Sequence, residues 1–358
     1  MRPLLATVDL AAIRHNYALA QRCAPSRQVF AVVKANAYGH GVREVVSSLE
    51  AADGFAVACL EEAVTVRALH ERARVLLLEG CFEPAEYRLA SQLRLDVVVH
   101  DAAQAEALLA AELAAPLAVW LKLDSGMHRL GFNDRDLRHW HGRLVAAASV
   151  AELNVLSHLA CADERGHPLI EEQLEAFLAV LDLPFAQRSL ANSAAVLTLP
   201  AAHMDWLRPG ILLYGSSPFA DLSAAQLGLK PAMRLTARLI AVREVAVGDT
   251  VGYGAAWLAQ RPSRIGTVSC GYADGYPRQA PSGTPVAIGG RRVPLVGRVS
   301  MDLLCVDLTD APQAQLGDEV ELWGAQVPVD ELAQACGTLG YELLTRVTAR
   351  VPRRYSNG

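Results

Sequence analysis

Residues 29–41, VFAVVKANAYGHG, decide how the chain is read. Val29 to Val33 form an apolar run without alternating polarity, as expected of a strand covered on both faces. The run reads as a strand over residues 29–35, VFAVVKA, with Lys34 near its end. The small residues and glycines that follow permit a bulky ligand to come close to the backbone. Burial and neighbouring cations would lower the Lys34 amine from a solution pKa of about 10.4, so it could condense with an aldehyde. Lysines number only three among 33 cationic residues, Lys34, Lys122 and Lys230, so such chemistry has few places to reside. The plain alternative is a strand-end lysine directed to solvent.

Seven more apolar runs follow: FAVAC (55–59), VLLLEG (75–80), LDVVVH (95–100), LAVWLKLD (117–124), LNVLSHL (153–159), SLANS (189–193) and WLRPGILLYG (206–215). Between them lie stretches with apolar residues three or four apart, such as residues 60–73, 101–113 and 170–181. Strand and helix alternating in this way predict a parallel (β/α)8 barrel, against an open doubly wound sheet as rival. No GxGxxG follows the first strand, which weighs against a dinucleotide site. After residue 225 the pattern changes to alternating strands broken by Gly, Pro and Asp, with Gly289-Gly290 as a tight hairpin. The expected division is therefore an α/β barrel over residues 1–225 and a mostly-β domain over 226–358. The early segment LLATVDL is strand-like, so residues 1–8 are expected to join the second domain, with Asp9 capping the helix that follows. A single elaborated barrel is the alternative.

Hydrophobic residues make up 52% of the 358 and charged residues 20%, with a net charge of -5 and no basic block. This argues against nucleic acid as a partner. No run approaches the roughly 18 apolar positions of a membrane span, and Asp9 cuts short any secretory signal, so a cytoplasmic protein is expected. Seven scattered cysteines without a CxxC pair read as buried thiols. His139 and His141 have no supporting ligand pattern, so no metal site is expected.

Barrel enzymes carry their reactive groups on the loops after the strands. Lys34, Arg129, His158, Ser193 and Arg208 all fall at or after strand ends, and Asn192-Ser193 and Pro209-Gly210-Ile211 fall where such barrels bind phosphate. A phosphate-bearing ligand is expected.

With these residues in place, the motifs VVKANAYGHG, LDSGMHRLGF, SHLACAD, NSAA, RPGILLYG, VGYGAAW, GYADGYPR, GRVSMD and RVPRRY resemble those of alanine racemase, end to end and in order. The resemblance implies pyridoxal 5'-phosphate as cofactor, a β-rich C-terminal domain and a head-to-tail homodimer that shares its active sites. Lys34 resembles the cofactor-holding lysine and D-side base, and Tyr253 resembles the L-side base contributed by the partner chain. His158 and Arg208 resemble a relay from that tyrosine to the cofactor ring. Tyr38, Asn192, Ser193, Gly210 and Ile211 match cofactor-binding positions. Arg129 and Met301 resemble contacts to the substrate carboxylate, whereas Asp163, Tyr272, Arg278, Arg298 and Asp302 match positions around a narrow access passage. Lys122 matches a lysine that some members carry as a carbamate, the alternative being a free amine paired with Asp124. Ala349 stands where a phosphate-binding tyrosine is expected, which implies one missing hydrogen bond. The remaining alternatives are a broad-specificity racemase, a fold-related decarboxylase and a non-catalytic cofactor carrier. Whether D-alanine is made for peptidoglycan or consumed stays open.

Overall fold

The structure is a computed structural model that describes residues 2–357. Strand β1 (Leu4–Asp9) leads into a helix over Leu10–Cys23. The Asp9 carboxylate accepts hydrogen bonds from the N–H groups of Ala11 and Ala12, donors that a helix start otherwise leaves free. Eight parallel strands then close into a barrel: β2 (Gln28–Val32), β3 (Gly54–Val57), β4 (Arg74–Leu77), β5 (Asp96–Val99), β6 (Leu117–Lys122), β7 (Val150–Leu156), β8 (Arg188–Ser189) and β9 (Trp206–Leu207). Gln28 lies opposite Trp206 and Val29 opposite Leu207, which closes the ring. Every residue of β3 and β5 is buried, as parallel strands between helices and an inner core require.

The N-terminal half of the barrel is filled. Phe30 stacks on Trp206 with ring centroids 3.9 Å apart and meets Trp120 edge-on at 5.8 Å. The Arg74 guanidinium lies over both indoles and pairs with Asp96 at 2.6 Å. Open space is left at the other end, where the strands finish.

Every expected run outlasts its strand, and three depart most: of SLANS only Ser189 belongs to β8, and Ser193 already starts a helix. WLRPGILLYG is extended only at Trp206–Leu207, because Pro209 has no N–H to donate and Ile211–Tyr214 winds into a 3-10 turn. The first run leaves the strand at Val32, one residue before its last ladder bond from the Val33 N–H to the Ala56 carbonyl. The cysteine expectation also needs correction: Cys81 and Cys270 are buried, but the other five are half-buried, and among the described residues all are free thiols. No helix among the described residues is long and apolar enough to cross a membrane.

The C-terminal part is a curled sheet of β10 (Met233–Val245), β13 (Ser263–Val268), β14 (Pro285–Ile288), β15 (Arg291–Val296), β16 (Leu304–Asp307), β17 (Glu319–Trp323) and β18 (Arg353–Ser356), joined by β1. A two-stranded ribbon, β11 (Thr250–Val251) with β12 (Trp257–Leu258), projects from it. β1 pairs antiparallel with β10 and parallel with β18, so the first strand of the chain belongs to this sheet. Gly289 and Gly290 turn the β14–β15 hairpin with φ of 55° and 82°, the geometry that sequence pattern predicts.

The two parts meet on the loop that follows β2. Ala35, Asn36, Ala37 and Tyr38 have φ of 52°, 54°, 53° and 50°, a turn of left-handed helix. Such backbone costs roughly 1–2 kcal/mol per residue, so it persists only where neighbours hold it. His40 is fully buried and contacts the carbonyls of Ala37 and Tyr38 through Nδ1, which must therefore carry the ring proton. The Asn36 side chain accepts from the Val42 N–H, and the Glu62 carboxylate from the Ala35 N–H at 2.7 Å. From the C-terminal end, the Arg353 guanidinium donates to the Gly39 carbonyl at 2.7 Å.

Gly39 has φ +81°, and a Cβ there would lie 2.2 Å from the Leu344 carbonyl oxygen. Gly39→Ala is expected to lower stability by about 2 kcal/mol or more, read as a lower urea midpoint at unchanged slope. Burial pushes the His40 pKa down from 6.5 to about 4. The unfolded ring takes a proton below its ordinary pKa whereas the folded ring resists it, so stability falls as pH drops through that window. His40 alone should remove about 2 kcal/mol between pH 7 and pH 5. His40→Gln should flatten that slope, and equal wild-type urea midpoints at the two pH values would contradict the assignment.

Candidate active site

A cavity of about 880 Å³ opens where the barrel strands end, and Lys34, Tyr38, Lys122, Arg129, His158, Asn192, Ser193, Arg208, Gly210 and Ile211 all line it. Ten residues spread over nearly 180 positions of sequence thus reach one chamber because all lie at or after the ends of five barrel strands, β2, β6, β7, β8 and β9. Lys34, Lys122, Arg129 and Arg208 supply four cationic side chains, while Glu79 and Glu342 are the lining carboxylates. An anionic ligand is favoured there.

At one side, Ser193 starts the helix Ser193–Thr198 that Asn192 caps by accepting from the Ala195 N–H. The Ser193 hydroxyl accepts from the N–H groups of Gly210 at 2.8 Å and Leu212 at 3.3 Å. Its own proton is left for a third partner. Gly210 must lack a side chain, since a Cβ would stand 2.5 Å from the Tyr38 hydroxyl. Tyr38 stacks on Tyr214 at 4.8 Å, and Tyr214 donates to the Val32 carbonyl, so the ring is held from beneath.

At the floor, the Arg208 guanidinium donates to the Ser189 hydroxyl and to the carbonyls of Ser157 and Leu190. Among the described residues no carboxylate pairs with it, and burial lowers its pKa to about 10. His158 is held well below its ordinary range, first by burial and then by Arg208, Arg129, Lys122 and Lys34. It is therefore a neutral imidazole at physiological pH. Lys122 is pushed down to about 8 by burial, Arg208 and Arg129, with Glu79 opposing. The alternative pairing of Lys122 with Asp124 does not form. Asp124 instead accepts from the N–H groups of Gly126 and His128 and contacts the His128 ring, folding the loop that carries Arg129 back on itself.

The other expected residues do not line this cavity. Tyr253 is 71% exposed, on a turn between β11 and β12 whose flanking Gly252 and Gly254 have φ of 79° and 70°. Arg298 packs under that turn, with its guanidinium 3.1 Å from where a Cβ of Gly254 would be. Met301 and Tyr272 are exposed neighbours, because the N–H groups of Tyr272 and Ala273 donate to the carbonyls of Ser300 and Met301. Asp302 pairs with Arg350 at 2.6 Å, and Arg278 and Asp163 are exposed. Tyr253, Tyr272, Arg298, Met301 and Asp302 thus form a second group, on the C-terminal sheet and its ribbon.

Tyr341 lines the cavity and sequence reasoning missed it. It rides on the helix Gly340–Thr345, with its ring 6.0 Å from that of Tyr38. Gly340 allows that helix to sit tight, because a Cβ would be 2.4 Å from the Ser216 hydroxyl. Asp330 latches the preceding helix by accepting from Ser216 and from the Ser217 N–H. Burial pushes the Tyr38 hydroxyl up to about 12 and raises that of Tyr341 as well, so both remain protonated donors. Ala349, by contrast, is exposed and outside the cavity. Tyr341 brings a tyrosyl ring to the chamber that residue 349 does not reach.

Two family patterns match the chain: alanine racemase, N-terminal domain, over residues 8–218, and alanine racemase, C-terminal domain, over residues 232–355. The biosynthetic alanine racemase of Pseudomonas aeruginosa is 74% identical over 358 residues, covering all of both chains, and its crystal structure superposes with a TM-score of 0.98 over 99% of this chain and 100% of that one. The catabolic alanine racemase of Pseudomonas putida is 49% identical, over 99% of each chain. A structure of alanine racemase from Bartonella henselae with covalently bound pyridoxal phosphate is 31% identical, with a TM-score of 0.90 over 99% of this chain and 100% of that one. The chain therefore belongs to the alanine racemase family, and it is an alanine racemase enzyme.

Proposed function

We propose that the enzyme interconverts L- and D-alanine with two bases on opposite faces of the substrate, Lys34 on the D side and Tyr253 of a second copy of the chain on the L side. The exposure of Tyr253, outside the cavity that holds Lys34, is the observation that carries this reading. A glycine-flanked tyrosine on an apolar patch with Tyr272, Met301 and Leu303 suits an interface whose partner brings the missing face. The physiological unit is then a homodimer with shared sites.

The chamber fits pyridoxal phosphate. Ser193, Tyr38, Tyr341 and the Ile211 N–H would hold its phosphate, with Gly210 leaving room beside the Tyr38 hydroxyl and Asn192 supporting the loop, Lys34 would bind its aldehyde carbon and Arg208 would face its ring nitrogen. When bound, the cofactor supplies the electron sink that makes the α-proton of alanine removable. Arg208, with no carboxylate partner, cannot readily give a proton to the ring nitrogen, which keeps that sink weak and favours return of a proton to carbon. Arg129 orients the substrate carboxylate, and Met301 of the second copy closes the pocket from the other side. Neutral His158, beside Arg208, would exchange a proton with the tyrosyl oxygen of Tyr253 of the second copy. Asp163, Tyr272, Arg278, Arg298 and Asp302 would border the access passage.

Lys122 carries a carbamate in this reading. With its pKa near 8, a useful fraction of the amine is neutral, so nitrogen can attack carbon dioxide and release one proton. The new carboxylate would sit among Arg129, Arg208 and Lys34 and replace a repulsive cation by an attractive anion. The 74% identical relative is the biosynthetic enzyme and the catabolic one is at 49%, which favours a cytoplasmic role supplying D-alanine for peptidoglycan.

Cofactor-loaded enzyme in deuterated water should convert L-alanine to racemate with loss of the α-proton signal, and absence of racemisation would sink the proposal. Lys34→Ala should abolish the cofactor chromophore. The enantiomers have equal free energy in achiral water, so kcat/KM stays equal in both directions for every variant, and the two bases must be told apart by isotope exchange. Tyr253→Phe should slow deuterium incorporation from the L side by roughly a hundredfold or more. Mixing Lys34→Ala with Tyr253→Phe protein should regain activity, since a mixed dimer holds one intact site; no recovery would mean that each chain completes its own site. Intact-mass measurement under gentle conditions should find one carbon dioxide added, and Lys122→Ala should lack it.

A further inference from the structure

We infer that Gln173, a residue outside the cavity, is the positioning residue that sets His158 and the Arg129 loop against each other. It sits in the helix Pro168–Ala179 with no exposed surface, and a fully buried glutamine there is costly unless its amide is satisfied. All of its polar capacity is directed at the active-site loops. Its Oε1 accepts from the Ala160 N–H at 2.8 Å, and its Nε2 donates to the His158 carbonyl at 3.0 Å and to the Ser125 hydroxyl at 3.2 Å.

The chain of bonds beyond Ser125 has one direction. Ser157 donates its single proton to the Leu123 carbonyl at 2.8 Å, so in the 2.8 Å contact between the two serines Ser125 must be the donor. Protons therefore point from Gln173 through Ser125 and Ser157 to Leu123. The carbonyl of Ser157 in turn accepts from Arg208. One amide thus ties the segment before Arg129, the backbone from the His158 carbonyl to the Ala160 N–H and, through Ser125 and Ser157, the cation at the floor. Lys122, Arg129 and Arg208 all disfavour a charged His158, so these groups repel one another and need an external frame to stay close.

The inference rests on the proposed two-base reading, and its test separates the two. Gln173→Glu keeps the acceptor and the volume but loses both donors. In cofactor-loaded enzyme it should slow L-side deuterium exchange roughly tenfold while D-side exchange at Lys34 changes little, and it should raise the inhibition constant of propionate, a carboxylate held by Arg129, by about the same factor. Ser125→Ala should weaken propionate and leave L-side exchange intact, because the bonds from Gln173 to His158 and Ala160 remain. Thermal unfolding and the cofactor absorbance report whether each variant is folded and loaded. A purely structural role would lower both exchange rates by one factor, and that result, or unchanged exchange and inhibition, would overturn the inference. Should Tyr253→Phe leave L-side exchange untouched, the two-base reading fails instead, and Gln173 stands or falls on propionate alone.

Discussion

The left-handed turn at Ala35–Tyr38 is the constraint on which the rest of the structure depends. Four consecutive residues with side chains in that conformation cost together about 4–8 kcal/mol. They persist because carbonyl, amide and ring contacts from His40, Asn36, Glu62 and Arg353 over-determine them. The turn lets Lys34 and Tyr38 face the same chamber only four residues apart, where an ordinary strand or helix would send the chain away from the barrel axis. It also explains why a second domain is built onto the barrel. The carbonyl of Leu344 and the guanidinium of Arg353 press on Gly39 from the C-terminal side, so catalytic loop and interdomain contact are one structure.

Electrostatics forms the second layer. Four cations and a histidine face one cavity with two carboxylates, and burial strips Lys122, Arg208 and the His158 ring of most of their solvent. In isolation such a cluster would fly apart or lose protons, and it does lose some: His158 stays neutral and Lys122 is largely poised to do so. What holds the cluster is hydrogen bonding to groups with no charge to lose, the carbonyls of Ser157 and Leu190, the hydroxyl of Ser189 and the amide of Gln173. The result is a site set for anions before one arrives, which lowers the reorganisation that binding requires.

Strand placement was legible from apolar runs, because strands covered on both faces need no polar alternation. Where the runs misled, backbone chemistry intervened. Pro209 and Gly210 ended β9 after two residues, and the unusual turn ended β2 at Val32, two residues before Lys34. Asp124 was the alternative partner for Lys122, but the loop beyond the strand redirected its carboxylate to its own backbone. Tyr341 had no local signal, since its value lies in a neighbour three hundred positions away.

The sequence by itself determined the barrel, the family and the residues at strand ends, because apolar periodicity and ordered motifs are local properties of the chain. Only the tertiary structure decided that ten of those residues share one chamber, that Tyr341 rather than residue 349 joins them, and that Tyr253 stands outside it. Those facts depend on which distant segments meet, and the meeting is governed by close backbone contacts at Gly39, Gly210 and Gly340, where a single methyl group would keep the parts from closing.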